Sequence, residues 1–325
     1  MPVRSYSRFG PILIAVVCAI SVSARGQSMA RVALNQWNAN DYAITYGNPI
    51  FESSGHVHGA DTNDNVEVQW SDNWGAIRLD NHDQDSPFIA YRFLIGQMNA
   101  DSPLFHSTMD DVELAAGFHL GTYAGWKVST MLGAGYDSTH PFVNEKGIFG
   151  IGDITAVHAI NDQNSLVLAV DYNGNNAFLQ DVPLPGFAFV HHDKKLDFML
   201  GYPDSNISYR PIDKLRIQAS YSVPYTASID AEYVPWQHLG FYGMVGNTMQ
   251  GIVISKENTI DRQFFQMRRV EVGVRVLYTP LINAGIGIGY AFDQGFSEGY
   301  DIRSLRTLAH ISNAPYISFV LYGKF

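Results

Sequence analysis

The sequence predicts an all-β chain closed into an antiparallel, up-and-down transmembrane β-barrel of about 12 strands, within a range of roughly 10–14. Three observations predict it. The chain stops on an aromatic residue at the end of an apolar strand, it opens with an export signal, and many segments between alternate strictly between apolar and polar residues.

The last segment runs Tyr316-Ile317-Ser318-Phe319-Val320-Leu321-Tyr322-Gly323-Lys324-Phe325. Steps of two back from Phe325 give Gly323, Leu321, Phe319 and Ile317, the period of a strand with one apolar face. In a membrane barrel such a strand closes against the first one, and its terminal aromatic sits in the interfacial girdle. Phe325 is therefore assigned to assembly. At the other end Arg4 and Arg8 precede a short apolar run, Pro11 to Val22, that contains Cys18. Small residues follow, with cleavage expected at Val22-Ser23-Ala24 and Ala24-Arg25-Gly26 as the alternative. The run is too short for the roughly 20 residues of a membrane-spanning helix. Residues 1–24 are thus expected to be a signal peptide and 25–325 a single barrel domain. Without Cys18 the exported chain has no disulfide and no thiolate metal site.

The net charge of -10 argues against nucleic acid and against attraction to anionic surfaces. Mean hydropathy is near zero despite 18 Tyr and 19 Phe, as alternating barrel strands require. The alternation is cleanest at Arg269–Tyr278, where Val270, Val272, Val274 and Val276 interleave with Arg269, Glu271, Gly273 and Arg275. It recurs at Lys214–Val223, Ala227–Val234, Val112–Leu120, Trp126–Tyr136, Leu196–Tyr202 and Ile282–Phe292. A period of two over eight or more residues cannot lay one stripe on a helix. Val270, Val272, Val274, Val276, Ile286 and Ile288 are accordingly expected to face membrane lipid. Lys127, Lys214, Arg216, Asp230, Glu232, Arg269, Glu271 and Arg275 are expected to face the lumen. Lys214 and Arg216 would pair with Asp230 and Glu232 across a hairpin, as opposite charges on neighbouring strands do. Gly133, Gly135, Gly273, Gly285, Gly287 and Gly289 share the polar face and leave room for long side chains.

Other stretches are harder to read. Glu67–Asp80 looks like a hairpin around Asp72-Asn73-Trp74-Gly75, and Ala43–Glu52 contains Pro49. Short turns are expected at 121–125, 161–163, 211–213, 235–237 and 279–281. Long polar loops are expected at 53–63, 97–109, 137–146, 173–185, 246–263 and 293–313. Short turns on one rim and long loops on the other describe a meander through a membrane.

Several motifs have a plainer reading than the chemistry they invite. His56-Val57-His58 places two imidazoles on one strand face but lacks a third ligand, and the adjacent His191 and His192 diverge. Asp61-Thr62-Asn63-Asp64-Asn65 begins like a calcium loop, yet Val66 stands where the turn glycine belongs. Asp80-Asn81-His82-Asp83-Gln84-Asp85 is another oxygen-rich loop. His119, near Glu113 and Lys127, is the one tempting catalytic group. No nucleophile elbow, zinc-protease helix or phosphate loop is present. No catalytic, cofactor or metal residue is assigned.

Val270–Pro280, Gly285–Tyr290, Gly299-Tyr300-Asp301 and the earlier Gly201-Tyr202-Pro203 leading into Ile207–Pro211 resemble a family of uncharacterised bacterial outer-membrane β-barrel proteins. The resemblance covers the second half of the chain. It implies a barrel in an outer membrane and carries over no catalytic or binding residue. The expected function is a narrow porin-like channel or a structural barrel. Its partners would be outer-membrane lipid, the barrel-assembly machinery and small solutes, with no nucleic acid. Two alternatives stay open: a barrel enzyme acting on lipid or peptide at the rim, and a secreted soluble all-β binding domain.

Overall fold

The computed structural model describes residues 42–53, 55–58, 65–80, 82–83, 85–100, 108–139, 147–223, 226–254, 261–277 and 282–325. The expected signal peptide and the residues Asp61 to Asp64 lie outside them. The strands are β1 (Ala43–Glu52), β2 (Gly55–His58), β3 (Asn65–Arg78), β4 (Phe88–Ala100), β5 (Thr108–Tyr123), β6 (Trp126–Ser138), β7 (Ile148–Ala159), β8 (Asn164–Asn173) and β9 (Leu184–His192). They continue as β10 (Leu196–Tyr202), β11 (Asp204–Ile212), β12 (Leu215–Ser222), β13 (Thr226–Trp236), β14 (Leu239–Val253), β15 (Arg262–Leu277), β16 (Ile282–Gly299), β17 (Arg306–Ile311) and β18 (Ala314–Lys324).

All pairings are antiparallel; apart from those that pass over or involve the short β2 and β17 they join sequence neighbours, and β1 pairs with β18 to close the sheet. The short β2 prolongs β1 and the short β17 leads into β18. Their pairing, His58 with His310, keeps the register that sets Ile44 opposite Lys324. The ring therefore has 16 staves, which corrects the expected 12. Closure removes every long unpaired edge. At the seam Phe325 donates its N–H to the Ala43 carbonyl at 2.8 Å and accepts from the Ala43 N–H at 3.0 Å.

The missing strands have physical reasons. Glu67–Asp80 is not a hairpin: β3 runs straight through Asp72-Asn73-Trp74-Gly75, pairing with β1 and β4 on its two sides. The segments expected as loops at 246–263 and 293–313 are largely strand. There Arg262-Gln263-Phe264-Phe265 and Gln294-Gly295-Phe296-Ser297 are buried on both faces, so no period of two survives. The strands β8, β9 and β11 are not among the segments whose alternation is read above.

The two rims differ as the connection lengths require. One carries tight turns, such as Ala124-Gly125 between β5 and β6, whose φ values of 49° and 81° are those of a type I′ hairpin turn. The other carries the longer connections, among them residues 174–183 and 300–305. It is notched where β10–β11 and β12–β13 join through only a few residues. Large apolar side chains cover the outer wall: Leu114, Leu132, Ile154, Leu200, Ile229, Val272 and Ile288 are each more than half exposed. In water such a surface is unstable, whereas in hydrocarbon it is the solvated face.

Candidate functional site

The lumen has three kinds of wall. On β12–β15 it is a charge network. Arg216 stands directly opposite Glu232, and its Nη2 lies 2.5 Å from Glu232 Oε2. The other Glu232 oxygen takes Arg275 Nη1 at 2.9 Å, and Arg275 Nη2 reaches Asp230 Oδ2 at 3.8 Å. The Arg275 guanidinium also covers the Tyr242 ring, 4.6 Å from its centroid. On its long-loop side Glu271 accepts hydrogen bonds from the hydroxyls of Tyr242 at 2.6 Å and Tyr316 at 2.8 Å. These long side chains lie over the glycine stripe of β16. A Cβ on Gly287 would sit 2.6 Å from Glu271 Oε1, and one on Gly289 2.2 Å from Tyr316 Cζ.

Of the residues expected in the lumen, the structure brings Arg216, Asp230, Glu232, Glu271 and Arg275 together, and Arg269 is buried on the same face. Two are elsewhere. Lys214 sits on the exposed β11–β12 turn and donates to the Pro235 carbonyl, because the turn ends one residue later than the alternation implied. Lys127 lies at the turn rim, bonded to Asp85 in the 79–87 loop, and both are half exposed. That hydrogen bond holds the Asp85 carboxyl below the usual range. Val270, Val272, Val276, Ile286 and Ile288 point outward and are exposed, and Val274 is half-buried.

The second wall, on β3–β8, was not assembled from the sequence. Arg92 lies 3.2 Å from Asp72, 3.4 Å from Asp111 and 3.5 Å from Glu113. Asp111 faces Asp137 and Asp153 faces Asp171 across neighbouring strands. All four are buried, so this wall gathers acidic groups around one arginine. The signal was present: each acid holds the inward parity of its strand. The third wall, on β11–β13, is lined by hydroxyls and amides, including Asn206, Ser208, Gln218, Ser220 and Ser228, with Ser220 and Ser228 hydroxyls 2.8 Å apart.

Toward the long-loop rim the interior becomes apolar. Trp70 packs on Phe265 (5.9 Å between ring centroids) and Phe265 on Phe296 (5.1 Å), amid buried Leu94, Met98, Met109, Ile252 and Met267.

The remaining motifs hold ordinary contacts. His56 and His58 are exposed on β2. His191 stacks on Phe198, and His192 bonds to Asp197 at 3.0 Å. His119 lies 3.5 Å from Ser129 Oγ. The 80–85 loop ties itself with Asp side chains bonded to the N–H groups of His82 and Asp85. Among the described residues, no three His, Cys, Asp or Glu side chains are grouped to hold a metal.

No family model matches the sequence, and no curated protein sequence does. Solved structures of similar outline include a mutant of the TodX monoaromatic hydrocarbon channel, at TM-score 0.40 and 8% identity, covering 92% of this chain and 93% of that one. A Pseudomonas aeruginosa FadL homologue aligns at TM-score 0.37 and 8% identity over 87% of this chain and 89% of that one. An outer membrane channel from Pseudomonas putida F1 aligns at TM-score 0.34 and 10% identity over 87% and 96%.

Proposed function

We propose that this chain is a channel of the bacterial outer membrane for small polar solutes, with cations favoured over anions. The observation that carries this reading is the inversion of the wall. A closed ring of 16 strands is apolar outside and holds Arg92, Asp111, Glu232, Glu271 and Arg275 inside. A ring of that size is wide enough for an aqueous path, and the charged groups turned inward line its wall. The acidic β3–β8 wall raises the local concentration of cations over anions. Lipid solvates the outer belt. The assembly machinery is the partner that would receive the closing strand ending in Phe325. The reading assigns no catalysis.

Purified full-length protein in planar bilayers under a salt gradient tests it. Discrete conductance steps with a reversal potential on the cation side are expected. Absence of any conductance from barrels that resist SDS until boiled would favour a structural barrel instead.

A further inference from the structure

The connection between β8 and β9, residues 174–183, does not stay on its own side of the mouth. In the ring of 16, β8 and β16 stand half a turn apart, and β15 is next to β16. Yet residues 174–178 are bonded to β15 and to the connection that follows β16. Arg262, the first residue of β15, donates from Nη1 to the Asn175 carbonyl at 2.8 Å and the Asn176 carbonyl at 3.3 Å, and from Nη2 to the Gly174 carbonyl at 3.1 Å. From the 300–305 connection Ile302 donates its N–H to the Ala177 carbonyl at 3.1 Å. Tyr300 accepts from the Gln180 amide, and Arg303 lies over the Phe178 ring at 5.4 Å.

We propose that residues 174–183 form a lid across the lumen mouth, latched by the Arg262 guanidinium in a site that recognises guanidinium-bearing cations. This rests on the channel reading above. The site is built rather than incidental. Three carbonyls in succession converge on one planar cation, the geometry for which its fixed fork of donors is suited. Asp111 and Asp137, both fully buried on neighbouring strands, supply the negative charge that faces it, with Asp181 of the lid. Asp111 Oδ1 and Asp137 Oδ1 have no hydrogen-bond partner among the described residues. Asn175, also fully buried, carries the lid down to these carboxylates. Leu179 and Asp181 hold left-handed backbone, with φ of 55° and 56°, which non-glycine residues adopt at a cost and keep when surrounding contacts impose it.

The test uses the full chain in planar bilayers, with SDS-resistant folding confirmed for each variant. Arg262→Ala is expected to raise the open probability roughly tenfold or more, since a charge-assisted hydrogen bond carries about that factor. Millimolar guanidinium chloride should return it to the wild-type level, and the neutral isostere urea should not. An Arg262→Ala channel that opens no more than wild type, or opens without reversal by guanidinium, overturns the latch. A second variant, Ala177→Cys with Ile302→Cys, serves if Arg262→Ala does not fold. Its conductance should fall on oxidation and return on reduction, and equal conductance in both states also overturns the lid. Wild type already conducting at the level of every variant leaves the channel standing without a latch. No conductance in any variant removes the channel and the lid together.

Discussion

Strands β14, β15 and β16 run 15, 16 and 18 residues, whereas β10, β11 and β12 run 7, 9 and 8. A bilayer takes about 9–11 residues of tilted strand. The short wall therefore ends at the membrane surface, and the long wall stands above it and supports the lid. Their linings differ in the same sense. Glu271 and Arg275 on the long wall belong to a paired charge network that reaches Arg216 near the turn rim of β12, whereas toward the long-loop rim the short wall carries Ser, Asn and Gln. The difference teaches where alternation is a reliable signal: within the apolar belt, where one face meets lipid, and not above it, where both faces are covered.

Removing the β13 carboxylate that ties the long wall to β12 should have the largest effect. Glu232→Ala takes the carboxylate from both Arg216 and Arg275, and breaking a buried ion pair costs about 3–5 kcal/mol. Ser220→Ala on the short wall loses one neutral hydrogen bond to Ser228, worth about 0.5–1.5 kcal/mol. Urea unfolding from lipid vesicles measures both, and equal losses would erase the distinction between the charged lining and the hydroxyl lining.

The upper edge of the belt can be located on β4. Its outward row reads Ile89, Tyr91, Phe93 and Ile95, then turns polar at Gln97. Arg at Phe93 should cost about 2–4 kcal/mol, as expected near the midplane. Gln97→Arg should stay within about 0.5 kcal/mol, as exposed substitutions do. Similar costs at the two positions would place the belt edge elsewhere.

These contrasts explain what the sequence disclosed. Arg269–Leu277 and Ile282–Phe292 cross the belt with lipid on one side, so their facing and their lumen charges were legible from spacing alone. The hairpin partners Arg216 and Glu232 followed from the short connection between their strands. The acidic wall was not assembled, because Asp111, Asp137, Asp153 and Asp171 lie far apart in sequence and only the strand order brings them together. The strand count fell short for local reasons. The strand ends above the belt have no exposed face, Ser and Asn in β11 read as turn residues, and Leu166–Val170 in β8 and Phe187–Val190 in β9 are apolar runs without alternation. The latch was invisible for a further reason: Arg262 was taken for part of a polar loop, and its partners are backbone carbonyls, which no sequence pattern marks.

Among the contacts removed, the smallest effect belongs to the turn rim. The depressed Asp85 carboxyl makes its pair with Lys127 fully present above the ordinary carboxylate range and lost as pH falls through the lowered value. Both groups are half exposed, so Lys127→Gln should cost less than about 1 kcal/mol at neutral pH and nothing in strong acid. A loss that persists unchanged in strong acid would mean the lysine acts by packing rather than by charge.

The central claim is that the wall is inverted, with lipid outside and a charged lumen inside. Cys18 is the one cysteine in the sequence, so single-cysteine labels can be placed in a Cys18→Ser background. Spin labels at each position from Arg268 to Leu277, in protein reconstituted into lipid vesicles, would be read for collision with oxygen and with a water-soluble nickel chelate. The account predicts a period of two, with Val270, Val272, Val274 and Val276 reached by oxygen and shielded from nickel. Valine positions open to nickel, or accessibility without that period, would contradict it.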